Sequence, residues 1–307
     1  MSDVVHPFAA APPGRALLRP GLTRRALFLG MGTTGLAGAA TAAYGIGIEP
    51  ESVLLTRYRL TPPRWPAGRK LSITVIADLH AGGPNMTARH IEHVVDVAAD
   101  ERADIVLLLG DYFATHRFVT EHVPPRVWAA SLARLEGRLG TWAIFGNHDW
   151  WFDIKGVRAG LAAVDIPVLE NRAVLLGERG HRFWLAGLGD QLAHRLGPHR
   201  FRGEDDLPGT LRQIDTDDPV ILMVHEPDIF TKVPDRVSLT LAGHTHGGQI
   251  RVPFVWPRYV PSRYGARFAY GHIVERGRHM IVSGGLGVSG VPVRLGVPPE
   301  IVRIELG

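Results

Sequence analysis

Five short apolar runs punctuate the chain, at 71–77, 105–109, 142–145, 220–224 and 238–242, and several are rich in Val and Ile without polar alternation. That is the pattern of strands covered on both faces. Between the first three lie stretches with apolar residues at helical spacing. These are 88–99, preceded by Thr87 as a cap, then 124–139, and 154–164. Strands alternating with helices predict βαβ units. After Pro167 the rhythm shortens into segments around Val168, Val174 and 183–186, which predicts an antiparallel meander and with it a second sheet. No fixed-period repeat is visible. The glycine-rich stretch 284–290 lacks the strand–loop–helix setting of a nucleotide fingerprint and reads as a loop.

Each apolar run leads directly into polar residues of metal-ligand type. The first gives Asp78-Leu79-His80, the second Gly110-Asp111, and the third Gly146-Asn147-His148-Asp149. The fourth gives His225-Glu226 and the fifth Gly243-His244-Thr245-His246. Open α/β sheets place their sites at the carboxyl ends of strands. Residues two apart in extended chain project to the same side, so Asp78 with His80, and His244 with His246, can converge on one locus. A carboxylate such as Asp111 can bridge two cations about 3.5–4 Å apart, the spacing that clamps both oxygens of a phosphoryl transfer. Imidazole, carboxylate and amide donors together suit Mn, Fe or Zn better than Ca or Mg. Of the other histidines, His90 and His93 fall on a predicted helix face, and His116, His194 and His199 in predicted loops.

Composition narrows these readings. The 307 residues are 45% hydrophobic and 21% charged, enough for a full core, which excludes a disordered, collagen-like or multi-span membrane chain. The absence of cysteine excludes disulfides, thiolate nucleophiles, zinc fingers and iron–sulfur clusters, leaving His, Asp, Glu and Asn to hold any metal. Beyond residue 50 the chain carries 30 basic against 28 acidic residues, too small an excess to argue a specific nucleic-acid partner.

Residues 1–22 read as an unstructured leader. Arg24 and Arg25 then precede the span 26–48, which holds six glycines and no charged residue. Paired arginines before a weakly apolar span resemble a twin-arginine export signal, with Ala40-Thr41-Ala42 as a small-residue cleavage site. An uncleaved membrane helix over 26–48 is the alternative. Both readings imply the twin-arginine export machinery as a partner and a periplasmic or cell-wall location. The division expected is signal or anchor 1–50, edge segment 51–70 and catalytic domain 71–307.

The ordered set D-x-H, GD, GNH followed by an acid, H and GH-x-H, running from Asp78 to His246, resembles the calcineurin-like metallophosphoesterases. With the leader and the segments 260–270 and 292–300, it is similar to their exported, single-domain subgroup. The resemblance implies a four-layer αββα sandwich, two mixed sheets flanked by helices, around a two-metal centre. Asp78, His80, Asp111 and His246 would hold one divalent ion, and Asp111, Asn147, His225 and His244 the other. A metal-bound hydroxide would attack phosphorus, and His148 would protonate the leaving oxygen. Many members carry GD-x-x-D, the last Asp orienting that histidine. Here Ala114 stands at that position, and Asp149 is the acid left beside His148.

The function expected is therefore that of an exported phosphodiesterase or phosphomonoesterase, with a lipid-linked, cell-envelope or small phosphate ester left open as its substrate. The alternatives are a pyrophosphatase acting on a lipid-linked nucleotide and a non-catalytic metal-dependent binding protein. A metallo-β-lactamase-type hydrolase ranks lower, because Gly247 and Gly248 follow His246 where its H-x-H-x-D-H run needs ligands. Trp150, Trp151 and Phe152 could stack on a substrate or pack internally. The arginines and aromatics of 251–270 could form a headgroup-facing rim or an ordinary amphipathic hairpin.

Overall fold

In the computed structural model, which describes residues 38–251 and 260–307, the apolar runs become strands of two large mixed sheets, four of them inner and the third, 142–145, at an edge. The first sheet comprises β1 (Leu54–Leu60), β13 (Glu300–Leu306), β2 (Leu71–Ile76), β3 (Ile105–Leu108) and β4 (Thr141–Ala143), in that spatial order. β2, β3 and β4 run parallel; β13 enters antiparallel to β2 and pairs parallel with β1. The second sheet has the order β11 (Gly271–Glu275), β12 (Arg278–Val282), β10 (Leu239–Ala242), β9 (Val220–Met223), β6 (Phe183–Gly187), β5 (Arg172–Leu176). Its four inner strands are parallel and both edge strands antiparallel. The expected meander therefore shrinks to one hairpin, β5–β6, because β6 finds its other partner in β9.

Alternation along each strand assigns its two faces. Ile73 and Val75 of β2 meet Leu107, Ile221, Met223, Leu239 and Leu241 in the layer between the sheets. On the outer face of the first sheet, Ile76, Val106 and Leu108 pack against α1 (Ala88–Asp100) and α2 (Pro125–Leu132). α1 buries Ile91, Val94, Val95 and Ala98, one helical stripe. Its start is fixed by the Thr87 hydroxyl, which accepts from His90 N. Each large apolar residue of that stripe stabilises by roughly 1.5–3 kcal/mol. α2 stops well short of residue 139, because Leu139 N bonds Asp104 O and turns the chain into β4. The outer layer over the second sheet is thin. It consists of one-turn α5 (Leu207–Leu211) and 3-10 segments, whose Leu207, Phe230 and Phe268 cover Leu222, Met280 and Val282. The order αββα follows.

Residues 51–70, expected to lie against the edge, supply the edge itself: β1 pairs with β13 along all seven residues. Residues 43–307 form one compact unit. The expected signal or anchor over 26–48 lies largely outside the described residues, as do Trp256, Arg258 and Tyr259 of the expected rim. Residues 38–47 are helical, and among the described residues no helix is long and apolar enough to cross a membrane.

Candidate metal centre

The chain leaves β2, β3 and β10 through backbone turns that L-residues seldom adopt. Asp78, His80, Asp111, His244 and His246 all have positive φ, between 43° and 69°. Each such residue costs about 1–3 kcal/mol and persists only where its surroundings fix it. Gly110 and Gly146 let the ends of β3 and β4 touch. A Cβ on Gly110 would stand 2.4 Å from Gly146 N, and one on Gly146 2.3 Å from Asp111 Oδ1. Asp111 Oδ1 accepts from His148 N at 2.8 Å, and both Asp78 oxygens accept from His244 N at 2.9 and 3.1 Å. The strand ends are thus stitched to one another through the carboxylates.

All seven expected ligands are buried, and six of them fall into groups whose donor atoms could hold an ion: Asp78 with His80 and His246, and Asp111 with His225 and His244. His80 Nε2 lies 3.0 Å from His246 Nε2 and 3.6 Å from Asp111 Oδ2. His225 Nε2 lies 3.1 Å from Asp111 Oδ2, close but not aligned for a hydrogen bond. Asn147 is buried with neither side-chain atom partnered. Buried amides ordinarily find partners, so one left bare among imidazole nitrogens and carboxylates marks a place for a cation. The rings are aimed from behind: Nδ1 of His80 donates to Phe113 O at 2.9 Å and Nδ1 of His225 to Leu109 O at 2.7 Å, presenting Nε2 as ligand. The residues fit divalent metal.

Electrostatics agree. Burial pushes His80 down to about 4 and holds His244 and His246 below their ordinary value, so these rings are neutral and ligand-competent. Burial raises Asp78 to about 7. Burial also pushes against the charge on Asp111, but His225 and then His148 outweigh it and hold that carboxyl well below the ordinary range. Asp111 in turn raises His225 against its own burial.

His148 lies beside the cluster, its ring 4.9 Å from His80 and edge-on. Asp149 does not orient it. Both Asp149 oxygens are spent on the backbone amides of Asp111, Tyr112 and Gly146, at 3.0, 2.7 and 2.9 Å, so Asp149 clamps the turn after β3. His148 Nδ1 instead meets the hydroxyl of Thr115, the residue after Ala114. Sequence reading missed Thr115 because it looked at Ala114. Also missed was Asp190, which follows β6 in a Gly-Asp pair like that after β3 and gathers with His225 and Glu226. Arg294 had no sequence signal. Wholly buried, it donates to the carbonyls of Gly284, Gly285, Gly287 and Val297, fixing the glycine-rich loop whose Gly287 N bonds Asp78 O at 2.7 Å. His90, His93, His116, His194 and His199 are outside the ligand groups found among the described residues.

The family model for calcineurin-like phosphoesterases matches residues 71–248, the stretch that carries every one of these strand ends. The chain belongs to the calcineurin-like phosphoesterase family. It is 28% identical to a metallophosphoesterase of Aquifex aeolicus (strain VF5), over 84% of this chain and 94% of that one. To the metallophosphoesterase YkuE of Bacillus subtilis (strain 168) it is 29% identical, over 93% and 98%. To the phosphodiesterase YaeI of Escherichia coli (strain K12) it is also 29% identical, over 88% and 96%. As a member of this family the protein is a metal-dependent phosphoric ester hydrolase. Its cluster opens into a cavity of about 790 Å³, lined by Thr115, His148, Trp151, Arg195, His244 and His246 among others, within the usual size for small-molecule sites.

Proposed function

We propose that this calcineurin-like phosphoesterase is an exported phosphodiesterase with two divalent ions. Asp78, His80, Asp111 and His246 would hold one and Asp111, Asn147, His225 and His244 the other. The observation that carries the reading is the gathering of buried donors around the Asp111 carboxylate, with His225 Nε2 3.1 Å from it and unpartnered, beside Asn147, whose side-chain atoms are buried without a partner. Mn, Fe or Zn suits this donor mixture. Such ions polarise phosphoryl oxygens and acidify water, which is the chemistry the ester bond requires.

The protein's own part is positioning and hydrogen-bond donation. Burial pushes His148 down to about 3, so its ring is neutral. With the Thr115 hydroxyl donating to Nδ1, the N–H sits on Nε2, where it would stabilise the charge developing on the departing alcohol oxygen as a hydrogen-bond donor. Diester preference is supported by the similarity to YaeI, a protein named as a phosphodiesterase. Export is supported by Arg24-Arg25 ahead of the charge-free span 26–48. Dialysis against EDTA should abolish hydrolysis of bis(4-nitrophenyl) phosphate, and Mn²⁺ should restore it with two ions bound per chain by elemental analysis. Full metal loading without turnover of any phosphoester class would overturn the reading.

A further inference from the structure

Past His148 the cavity is bordered by Arg195, carried on the hairpin of β7 (His194–Gly197) and β8 (Arg200–Arg202). Arg195 and Phe201 are direct cross-strand partners in that hairpin, and both meet the ring of Trp151. The Arg195 guanidinium carbon lies 3.5 Å from the Trp151 ring centroid. Phe201 stacks on Trp151 at 5.7 Å, with 21° between planes. The indole N–H of Trp151 donates to Leu192 O at 2.9 Å, which fixes the ring, and His148 lies 5.1 Å from it. A continuous path of side chains thus runs from His148 through Trp151 to Arg195 along one wall of one cavity.

Arg195 is held by a ring and not by an ion pair. Arg57, Arg59, Arg134, Arg158 and Arg267 each reach a carboxylate within 3 Å. Among the described residues no carboxylate pairs with Arg195. Stacking on an aromatic ring restricts the guanidinium without consuming its N–H donors, and its planar fork matches phosphate and carboxylate. A cation held this way beside a phosphoester site, and not neutralised by the protein, is left for an anion that arrives with the substrate.

We propose that Arg195, seated on Trp151, binds a second anionic group on the leaving alcohol of the substrate, beyond the scissile oxygen that faces His148. The proposal rests on the phosphoesterase reading above and narrows its substrates to phosphoesters whose alcohol carries a further phosphate or carboxylate. Trp151 then serves to hold the arginine, not to stack on a base.

The probes are non-hydrolysable and differ only in the distal group: phenylphosphonate, 4-carboxyphenylphosphonate and 1,4-benzenediphosphonate. Each would be titrated calorimetrically into the Mn²⁺-loaded full chain. The expected result is roughly ten- to hundredfold tighter binding of the diphosphonate than of phenylphosphonate, the range for charged hydrogen bonds. A larger gain with the diphosphonate identifies phosphate as the preferred anion, and a larger gain with the carboxylate probe identifies a carboxylate. In R195A the ratio should collapse toward one, R195K should keep part of it, and W151A should lose most of it with Arg195 intact. Equal binding of all three probes by the native protein, or an unchanged ratio in R195A, overturns the proposal. If the native protein retains Mn²⁺-dependent hydrolysis of bis(4-nitrophenyl) phosphate in that case, only the Arg195 assignment falls. If hydrolysis is missing too, the phosphoesterase reading falls with it.

Discussion

Between the two sheets the division of donors is uneven. Of the seven expected ligands, β2, β3 and β4 lead into Asp78, His80, Asp111 and Asn147, and so bring both ligand carboxylates; β9 and β10 lead into His225, His244 and His246, and the carboxyls of Asp190 and Glu226 stand behind His225. Within the ligand set the first sheet carries the carboxyls and the second carries neutral rings, apart from His225, which Asp111 and then Glu226 raise well above its ordinary value. The difference teaches that the cluster is electrically incomplete. Two buried carboxyls lean on one imidazole and, at Asp78, on a retained proton. Each proposed ion takes donors from both sheets, so cation binding and sheet packing support one another.

Substitution on the two sides should be unequal. Asp111→Asn removes the charge common to both ions and should lower hydrolysis roughly 10⁴-fold, several kcal/mol of lost charge stabilisation, with bound metal falling below one ion per chain. His244→Ala takes one neutral ligand and should leave one ion in place. Elemental analysis of the two variants decides, and equal metal loss from both would break the contrast. Smaller effects are expected beside the cluster. His148→Ala should cost about 10²–10³-fold in kcat with both ions retained, whereas Thr115→Val, which loses one hydrogen bond, should cost only about 1 kcal/mol, roughly fivefold. A Thr115→Val variant as impaired as His148→Ala would mean that the hydroxyl does more than orient the ring.

The smallest effect is a pH dependence set by Asp78. Its carboxyl must lose a proton to ligate, and its folded value, about 7, lies above the ordinary 3.8. In the metal-free protein the stability tied to this group is therefore fully present below about 4 and is lost as pH rises through about 7. Metal affinity runs the other way and should weaken about threefold from pH 7.5 to 6.5. Calorimetric titration with Mn²⁺ at the two pH values checks the sign; a flat profile would show that Asp78 is already ionised.

What was legible in the sequence was local. β2, β3, β9 and β10 are short apolar runs ending in donors, and neither feature needs a distant partner to be seen. β1 and β13 were opaque because each is specified by the other, with Leu54 paired to Glu300 across the length of the domain. The β7–β8 hairpin was hidden by its composition, His-Arg-Leu-Gly against Arg-Phe-Arg, which has no buried face to betray it. Thr115 and Arg294 act through contacts that only the closed loops create.

The position of β13 also bears on how the molecule is made. Of the thirteen strands among the described residues it is synthesised last, yet its place is second in the first sheet, between β1 and β2, which are synthesised first. As the nascent chain leaves the ribosome, those two early strands have no neighbour in common, and their facing edges stay unpaired until β13 emerges to fill the slot. The sheet that carries Asp78 and Asp111 therefore cannot close before its last-made strand is available.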